Sequence, residues 1–267
     1  MKLITAKNGV KYFNSDILSC KNAFATRIGG VSTLPHTAEL NLAFGRGDSD
    51  VTVCNNLSVF ADAVGFDPRS VISVPQIHSA KVVRVDSNHR GMGYYKSAPF
   101  ECDGYVTTDK NVILGVKTAD CVPILLSAKD ENGEVIAIAA LHAGWRGTAN
   151  AIAREGVKAL TKLGADPERI FAAVGPHICK DCFEVGEDCK DEFVRLLGED
   201  ILEFIKPCGE KYFPDLGAIN RKILAECGVL PENIDTSDAC TYCDPSLFYS
   251  HRRTNGVRGT HLSIIGF

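Results

Sequence analysis

The segment Leu141-His142-Ala143-Gly144-Trp145-Arg146-Gly147-Thr148 joins a continuously apolar run to a helix-like stretch. The apolar run, Val135 to Leu141, is typical of a strand buried on both faces. Thr148 can cap the helix that follows, whose apolar residues recur at helical spacing. The glycine hinge leaves free backbone N–H groups and the positive end of a helix dipole above His142. The segment therefore predicts an anion site beside a histidine that can bind metal.

The composition describes an ordinary globular protein. The 267 residues are 45% hydrophobic and 23% charged, with a net charge of −4, and we treat residues 1–267 as a single domain. Scattered basic residues argue against nucleic acid as a partner. No signal peptide and no run near the ~20 apolar residues of a membrane span is present. Eleven cysteines are too sparse for a disulfide scaffold, so we expect a cytoplasmic protein with free thiols, monomeric or a small homo-oligomer, without a membrane partner.

Strand patterns dominate the chain, with helices between them. Three further segments show helical periodicity and end signals: Ser49 to Gly65, Gly186 to Leu197 and Leu216 to Glu226. Near the C-terminus, Leu247 to Arg252 and Val257 to Ile265 flank Asn255-Gly256, a pair that favours a hairpin turn. The pattern predicts one mixed α/β domain with a large mixed sheet.

Three residues that can bind metal lie where apolar runs meet polar segments: His78, Cys121 and His142. Two imidazoles and a thiolate suit Zn²⁺ and leave a fourth position for water or substrate. Separations of 43 and 21 residues form no spacing motif, so hydrogen-bonded structural histidines and a buried thiol are the plainer interpretation. The same residues also fit a nucleophilic dyad, with Cys121 attacking and a histidine as base.

Two Cys-x-x-Cys motifs, Cys179 to Cys182 and Cys240 to Cys243, invite comparison with zinc ribbons. The 57 residues between them exceed the usual ~15–20. We therefore favour core packing around the neighbouring Phe183 and Tyr242 over a structural zinc site. A redox role is not expected, because the first motif lacks a thioredoxin-like context.

Several other polar residues occupy turn or strand-end positions. Arg27 lies in a glycine-rich turn, where it either presents its guanidinium to a phosphate or faces solvent. Asp103 precedes a glycine, either at a strand start or in an ordinary turn, and Asn41 is a similar case. These segments alone do not decide between the alternatives.

Taken in order, the motifs resemble the YfiH-like, laccase-domain family, also called multicopper polyphenol oxidases. The resemblance runs from about residue 23 to the C-terminus, and its most specific segments are Ala119-Asp120-Cys121-Val122-Pro123 and His142-Ala143-Gly144-Trp145-Arg146-Gly147. It implies an α+β fold, a layered α/β/β/α sandwich with a large mixed β-sheet, similar to a bacterial toxin deamidase. The sequence departs from the family pattern at two segments, Gly45-Arg46 and Val257 to Thr260. The resemblance therefore assigns no role to Arg46 or Arg258.

The resemblance implies roles for particular residues. His78, Cys121 and His142 match the family's three metal ligands, beside a pocket for purine nucleosides. Either Asp120 or Asp103 is placed to shuttle a proton, and we predict Asp120, Cys121 and His142 as the catalytic residues. The implied substrate-binding residues, including those that hold phosphate, are Arg27, Asn41, Gln76, Asp103 and Arg146.

The family names imply conflicting activities. A trinuclear copper cluster needs many imidazoles, and this chain has seven histidines and no His-x-His pair, which excludes true multicopper chemistry. We expect a zinc-dependent purine nucleoside enzyme that phosphorolyses adenosine, inosine and methylthioadenosine and deaminates adenosine, with Zn²⁺ as cofactor and phosphate as co-substrate. Cu²⁺ bound in vitro would give polyphenol oxidation as a side activity. The alternatives are a hydrolase or peptidoglycan-editing factor with Cys121 as nucleophile, and a module that senses nucleosides without turnover.

Overall fold

Strands outnumber helices in this protein, and a computed structural model describes all residues from 1 to 267. The fourteen strands are β1 (Lys2–Thr5), β2 (Lys11–Asn14), β3 (Lys21–Ala25), β4 (Val71–Ile72), β5 (Val82–Arg84), β6 (Gly104–Thr107), β7 (Ile113–Thr118), β8 (Val122–Lys129), β9 (Val135–Ala143), β10 (Ile170–Val174), β11 (Ile205–Cys208), β12 (Lys211–Pro214), β13 (Ile234–Thr236) and β14 (His261–Gly266). The five α-helices are α1 (Asp50–Val64), α2 (Trp145–Ala149), α3 (Ile152–Thr161), α4 (Glu187–Leu197) and α5 (Leu216–Glu226).

The strands form two large mixed sheets of six strands each. The first has the order β1-β2-β3-β14-β7-β4, in which only β4 and β7 are parallel. The second has the order β13-β10-β8-β9-β6-β5, with a parallel pair at each edge. Strands β11 and β12 form a separate hairpin. Because the C-terminal β14 lies between β3 and β7, both ends of the chain belong to the first sheet.

Three apolar cores separate four layers. The first, with Leu57 and Phe60, lies between α1 and the first sheet. The second, with Phe24 and Tyr105, lies between the two sheets. The third contains Phe193 and joins the second sheet to the remaining helices. The α/β/β/α layering is therefore confirmed, since each sheet buries both faces.

The predicted ends of α1 are correct. The Ser49 hydroxyl accepts a hydrogen bond from the Thr52 N–H at 3.1 Å, and Gly65 ends the helix with φ +83°, a conformation that favours glycine. Helices α4 and α5 also match their predicted ranges. None of the five helices combines the length and apolar character needed to cross a membrane.

The helix after His142 begins earlier than predicted. Gly144, in extended conformation, caps α2, and the chain turns at Ala151 with φ +55° before α3 begins. Thr148 is not a cap but a buried residue inside α2, whose hydroxyl accepts a hydrogen bond from the Asn220 amide at 2.9 Å. Helix α2 is thus pinned to α5.

The predicted C-terminal hairpin is wrong. Residues 247–252 form no strand, because this segment wraps around Asp120 instead: the Ser250 hydroxyl and the Arg252 N–H both donate to its carboxylate, at 3.0 and 2.7 Å. Asn255 and Gly256 do adopt positive φ, 49° and 89°, as the sequence pair favours. They turn an irregular loop that leads into β14.

Candidate active site

His78, Cys121 and His142 meet at one end of the two sheets. Cys121 lies between β7 and β8, where the chain crosses from the first sheet to the second, and His142 is the penultimate residue of β9. His78 lies in the loop before β5. Their ligand atoms all lie within 4.8 Å of one another, and the imidazole centroids are 4.9 Å apart. Three residues distant in sequence thus form one cluster.

The loops that carry this cluster have unusual backbone conformations. His78 has φ +58° and Asp120, which precedes Cys121, has φ +92°. Hydrogen bonds hold both: the His78 N–H donates to Asp103 at 2.9 Å, and the Asp120 carbonyl accepts from the Ile178 N–H at 3.0 Å. Positive φ in residues other than glycine is costly and concentrates at functional sites.

Gly144 allows the cluster to close. A Cβ atom at this position would lie 2.8 Å from His78 Cδ2 and 3.2 Å from Cys121 Sγ. Real Cβ atoms do not approach a neighbour as closely as the first distance. The hinge glycine therefore provides the space in which His78 and Cys121 approach each other, a different role from the free N–H groups suggested by the sequence.

The buried carboxylate of Asp103 orients the imidazole of His142. Its carboxylate accepts a hydrogen bond from His142 Nδ1 at 2.8 Å and further bonds from the Ser79 N–H and hydroxyl at 2.6 and 2.7 Å. Burial raises the pKa of Asp103, but the hydrogen bonds from His142 and Ser79 outweigh it and lower the pKa to about 2. An ionised Asp103 fixes the proton on Nδ1 and leaves Nε2 of His142 for the cluster.

The electrostatics favour a thiolate at Cys121. Burial raises the pKa of the thiol, but the neighbouring imidazoles, above all His142, lower it to about 6. Burial lowers the pKa of His142, but the negative charges of Cys121 and Asp103 outweigh burial, so the pKa of His142 is raised overall. Each group of the pair thus stabilises the charged form of the other.

The donor set fits a zinc ion with one open position. Two imidazole nitrogens and one thiolate are common zinc ligands, and three protein ligands are typical of catalytic sites. The carboxylate behind His142 is the outer partner that metal-binding histidines usually have. Cys121 also supplies the deprotonated sulfur that a metal requires.

A cleft opens over the cluster in two lobes. The smaller lobe, of about 260 Å³, is mainly polar and includes Gln76 and Lys117. The larger, of about 630 Å³, has an apolar wall that includes Trp145, Ile178 and Phe183. The residues shared by both lobes are Arg46, His78, Ala119, Cys121 and Arg258. The His78, Cys121 and His142 cluster therefore lies at the boundary between a polar and an apolar compartment.

The smaller lobe carries unpaired positive charge. Arg46 Nε and Arg258 Nε are buried without a hydrogen-bond partner. Burial, together with repulsion from Arg46, lowers the pKa of Arg258 to about 10 and that of Lys117 to about 8. None of the three cations has a carboxylate within 4.0 Å. The three side chains are half-buried, and the hydrogen bonds that Lys117 and Arg258 make go to neutral oxygens. Partly buried cations without a counter-charge favour an anion, so this lobe is suited to an anionic ligand.

The structure keeps two predicted substrate-binding residues out of the cleft. The Arg27 guanidinium donates to the carbonyls of Ala38 and Pro245, and it stacks 4.9 Å from the Tyr249 ring centroid. Asn41 is fully buried and bonds to the Asp48 carboxylate and the Thr260 N–H. Both side chains hold loops together rather than line either lobe.

The other predicted residues lie in or under the cleft. Gln76 lines the smaller lobe and exchanges two hydrogen bonds with the Lys117 backbone. Arg146 is exposed in the larger lobe, 4.2 Å from the Trp145 ring. Asp103 is fully buried beneath His142, so its place is behind the pocket wall. Asp120 also accepts a bond from the Thr241 hydroxyl at 2.7 Å, and its part in proton transfer stays a prediction.

Four residues of the cleft were missed in the sequence. These are Arg46, Lys117, His251 and Arg258. The sequence did offer two signals: a lysine at the end of an apolar strand, and arginines that each precede a glycine. Nothing in the sequence indicated that three separate segments converge, because that depends on the contact between β7, β14 and the loop before α1.

The chain is similar to several known proteins. Residues 21–267 match the family model described as multi-copper polyphenol oxidoreductase laccase. The purine nucleoside phosphorylase YlmD of Bacillus subtilis is 37% identical over 246 residues, which cover 91% of this chain and 87% of the relative. The adenosine deaminase RL5 of an unknown prokaryotic organism is 35% identical, covering 86% and 88%.

A solved structure shares the whole architecture. The crystal structure of YlmD from Geobacillus stearothermophilus superposes with a TM-score of 0.90 at 30% sequence identity, covering 99% of this chain and 98% of that one. The superposition spans both sheets, and the family model covers every strand except β1 and β2. The chain therefore belongs to the multi-copper polyphenol oxidoreductase laccase family, which includes the YfiH-like proteins.

Proposed function

We propose that this protein is a zinc-dependent purine nucleoside phosphorylase, which splits adenosine, inosine or methylthioadenosine with inorganic phosphate. One observation carries the proposal: three cations without a carboxylate partner, Arg46, Lys117 and Arg258, line the same small lobe as the His78, Cys121 and His142 cluster. The names of the relatives in Bacillus subtilis and Deinococcus radiodurans support the same activity.

The two lobes suit the two halves of the reaction. The purine base would lie against Trp145, Ile178 and Phe183 in the larger lobe, whose volume of about 630 Å³ is in the range of small-molecule sites. Phosphate would bind Arg46 and Arg258, where charge-assisted hydrogen bonds replace the missing partners. The ribose then crosses the boundary, with its C1′ facing the phosphate lobe.

Zinc would be held by His78, Cys121 and His142, and when bound it supplies a Lewis acid that polarises oxygen and activates water. Asp103 keeps His142 in the tautomer that presents Nε2. Lys117 and the two arginines stabilise the charge that passes between phosphate and ribose. The apolar wall of the larger lobe excludes water from the departing base.

Deamination of adenosine is the second candidate activity. The similarity to a protein named adenosine deaminase supports it, as does a donor set that can activate water. His251 lines the larger lobe, and burial together with the charge of Arg258 lowers its pKa. A neutral imidazole there could exchange a proton with the base.

Other activities have less support from the residues. The chain has one cluster containing histidines, with two imidazoles, and a second cluster made only of cysteines, so a trinuclear copper centre has too few ligands. Copper at the His₂Cys cluster would give phenol oxidation as a side activity. A hydrolase with Cys121 as nucleophile would use the same low pKa of the thiol. A cytoplasmic location is also part of the proposal, because the eleven free cysteines suit a reducing compartment, and so is a single domain over residues 1–267.

Product analysis tests the proposal. Zinc-loaded protein is incubated with inosine with and without phosphate, and separately with adenosine, beside a His142→Ala control. We expect hypoxanthine and ribose 1-phosphate only when phosphate is present, and loss of activity with a chelator. No product above the control would refute the proposal. Activity that survives chelation but not thiol alkylation would instead support the Cys121 nucleophile.

A further inference from the structure

A second cluster of metal-binding side chains lies outside the cleft. Cys179, Cys182, Cys240 and Cys243 place their four Sγ atoms within 4.8 Å of one another. All four thiols are free, and even the Cys182 and Cys243 sulfurs are 3.4 Å apart, far beyond the ~2.05 Å of a disulfide. The sequence interpretation of core packing holds for Phe183, which packs against the third core, but is wrong for Tyr242, which is 37% exposed.

The fold removes the objection of long spacing. The first motif follows β10 and the second follows β13, and these two strands are parallel neighbours. Parallel strands end at the same edge of a sheet, so the loops after them meet although 57 residues separate the motifs in sequence. An isolated bridge between His177 and Cys240 extends the pairing to the first cysteine of the second motif.

We propose that these four cysteines bind a structural zinc ion, separate from the metal of the cleft. A tetrahedral ion with Zn–S distances of about 2.3 Å places its sulfurs about 3.8 Å apart, and the observed sulfurs need only small shifts to reach this. A multinuclear iron–sulfur cluster would hold its cysteines farther apart, because several iron and sulfide atoms lie between them.

The surroundings suit an anionic tetrathiolate centre. The Cys179 N–H points at Cys240 Sγ, 3.2 Å away, a contact of the kind that stabilises a bound thiolate. The Arg253 guanidinium donates to the carbonyls of Thr241 and Tyr242, both at 2.7 Å. Arg253 therefore holds the backbone of the turn that carries Cys240 and Cys243.

The position of the cluster gives the ion a role. The two cysteine loops bond to each other, since the Thr241 N–H donates to the His177 carbonyl at 3.0 Å. Both loops also bond to Asp120: the Ile178 N–H donates to its carbonyl and the Thr241 hydroxyl to its carboxylate. Asp120 precedes the ligand Cys121, and Ile178 and Phe183 form part of the larger lobe. The zinc ion would lock the two loops that support one wall of the cleft.

Metal analysis of the full chain, expressed without added metal, tests the inference. We expect two zinc ions per chain in the wild type and one in Cys121→Ser. The double variant Cys182→Ser/Cys243→Ser should also retain one, and Cys208→Ser, an exposed cysteine on β11, should retain two. One ion or none in the wild type together with none in Cys121→Ser would overturn the inference, as would iron at the second site.

Cobalt substitution gives a measurement that does not depend on the folding of the double variant. Cys121→Ser protein has no thiolate in the cleft, so any thiolate-to-Co²⁺ charge-transfer absorption must come from the four-cysteine cluster. We expect the strong d–d bands of a tetrahedral S₄ site at one Co²⁺ per chain. Absence of charge transfer, or a thiol titration showing a disulfide, would refute the site without bearing on nucleoside phosphorolysis.

Discussion

At the scale of single residues, the cleft depends on carboxylates and cations that the sequence presents as ordinary turn residues. Asp103-Gly104 has the form of a common turn, yet the carboxylate accepts bonds from His142, His78 and Ser79. The Asp103 side chain thus holds His142 through its imidazole ring and His78 through its backbone N–H. Long-range contact, rather than local propensity, gives Asp103 this role.

Asp103→Asn should weaken zinc binding tenfold to a hundredfold, roughly the effect of losing an outer partner of a metal ligand. The neutral amide no longer fixes the proton of His142, and its NH₂ group faces backbone N–H donors. Competition with a chromophoric chelator measures the affinity. Asp109→Asn is the matched control, because that carboxylate also accepts loop N–H bonds, from Ser87 and Asn111, but lies away from the cleft. Equal affinities for both variants would contradict the role of Asp103.

Arg258→Met should raise the KM for phosphate by about tenfold to a hundredfold, since hydrogen bonds to charged groups are worth ~1.5–3 kcal/mol. Zinc content should stay unchanged. Arg146→Met is the comparison, because the sequence placed the anion site at Arg146, whereas the structure leaves this side chain exposed beside Trp145. Initial rates of inosine phosphorolysis against phosphate concentration decide between them. A larger effect in Arg146→Met would restore the sequence interpretation.

At the scale of elements, the turn from β9 into α2 combines a correct and an incorrect expectation. The apolar run predicted β9, and the glycine after it predicted a strand-to-helix turn, both as observed. The cap was misplaced, because a hydroxyl at Thr148 is a stronger local signal than a glycine at position 144. The close approach of His78 and Cys121, invisible in the sequence, is what requires glycine there.

Gly144→Ala should therefore remove the cleft metal while the protein stays folded. The new methyl group would overlap His78 Cδ2 at 2.8 Å, and the ring must leave the cluster. Gly186→Ala is a matched control: this glycine also caps a helix in extended conformation, and its methyl group would meet only the flexible Asp188 carboxylate. Zinc content and far-UV circular dichroism measure the two effects. Full zinc content in Gly144→Ala would show that the cluster tolerates the methyl group.

At the scale of the whole molecule, β14 joins the N-terminal strands to β7 and brings His261 into the buried interior. His261 accepts a hydrogen bond from the Tyr249 N–H at 3.0 Å. Burial and the nearby Arg258 lower its pKa to about 3. The first sheet is therefore assembled around an imidazole that must stay neutral.

This imidazole should make stability fall in mild acid. Above about pH 6.5, His261 is neutral in the folded and unfolded states and adds no pH dependence. Between 6.5 and about 3 the unfolded state takes up a proton that the folded state refuses, so the free energy of unfolding falls by ~1.4 kcal/mol per pH unit from this group. Urea unfolding at pH 6.5 and 4.5 should show a shallower loss in His261→Gln than in the wild type. Identical slopes would contradict the assignment.

The sequence by itself determined the local structure of this protein. Apolar periodicity and caps identified α1, α4, α5 and β9, since these depend on neighbours a few residues away. Ordered motifs also identified the family and grouped His78, Cys121 and His142. It failed where pairing is distant, as in the C-terminal hairpin that instead wraps around Asp120.

Only the tertiary structure decided which polar residues share a compartment. The pairing of β14 with β7 and of β10 with β13 brings Arg46, Lys117 and Arg258 into one lobe and the four cysteines into one cluster. The spacing of residues along the sequence does not predict these contacts, because the residues lie on separate strands and loops. Their chemistry follows from burial and mutual distance, which exist only once both sheets have closed over their common core.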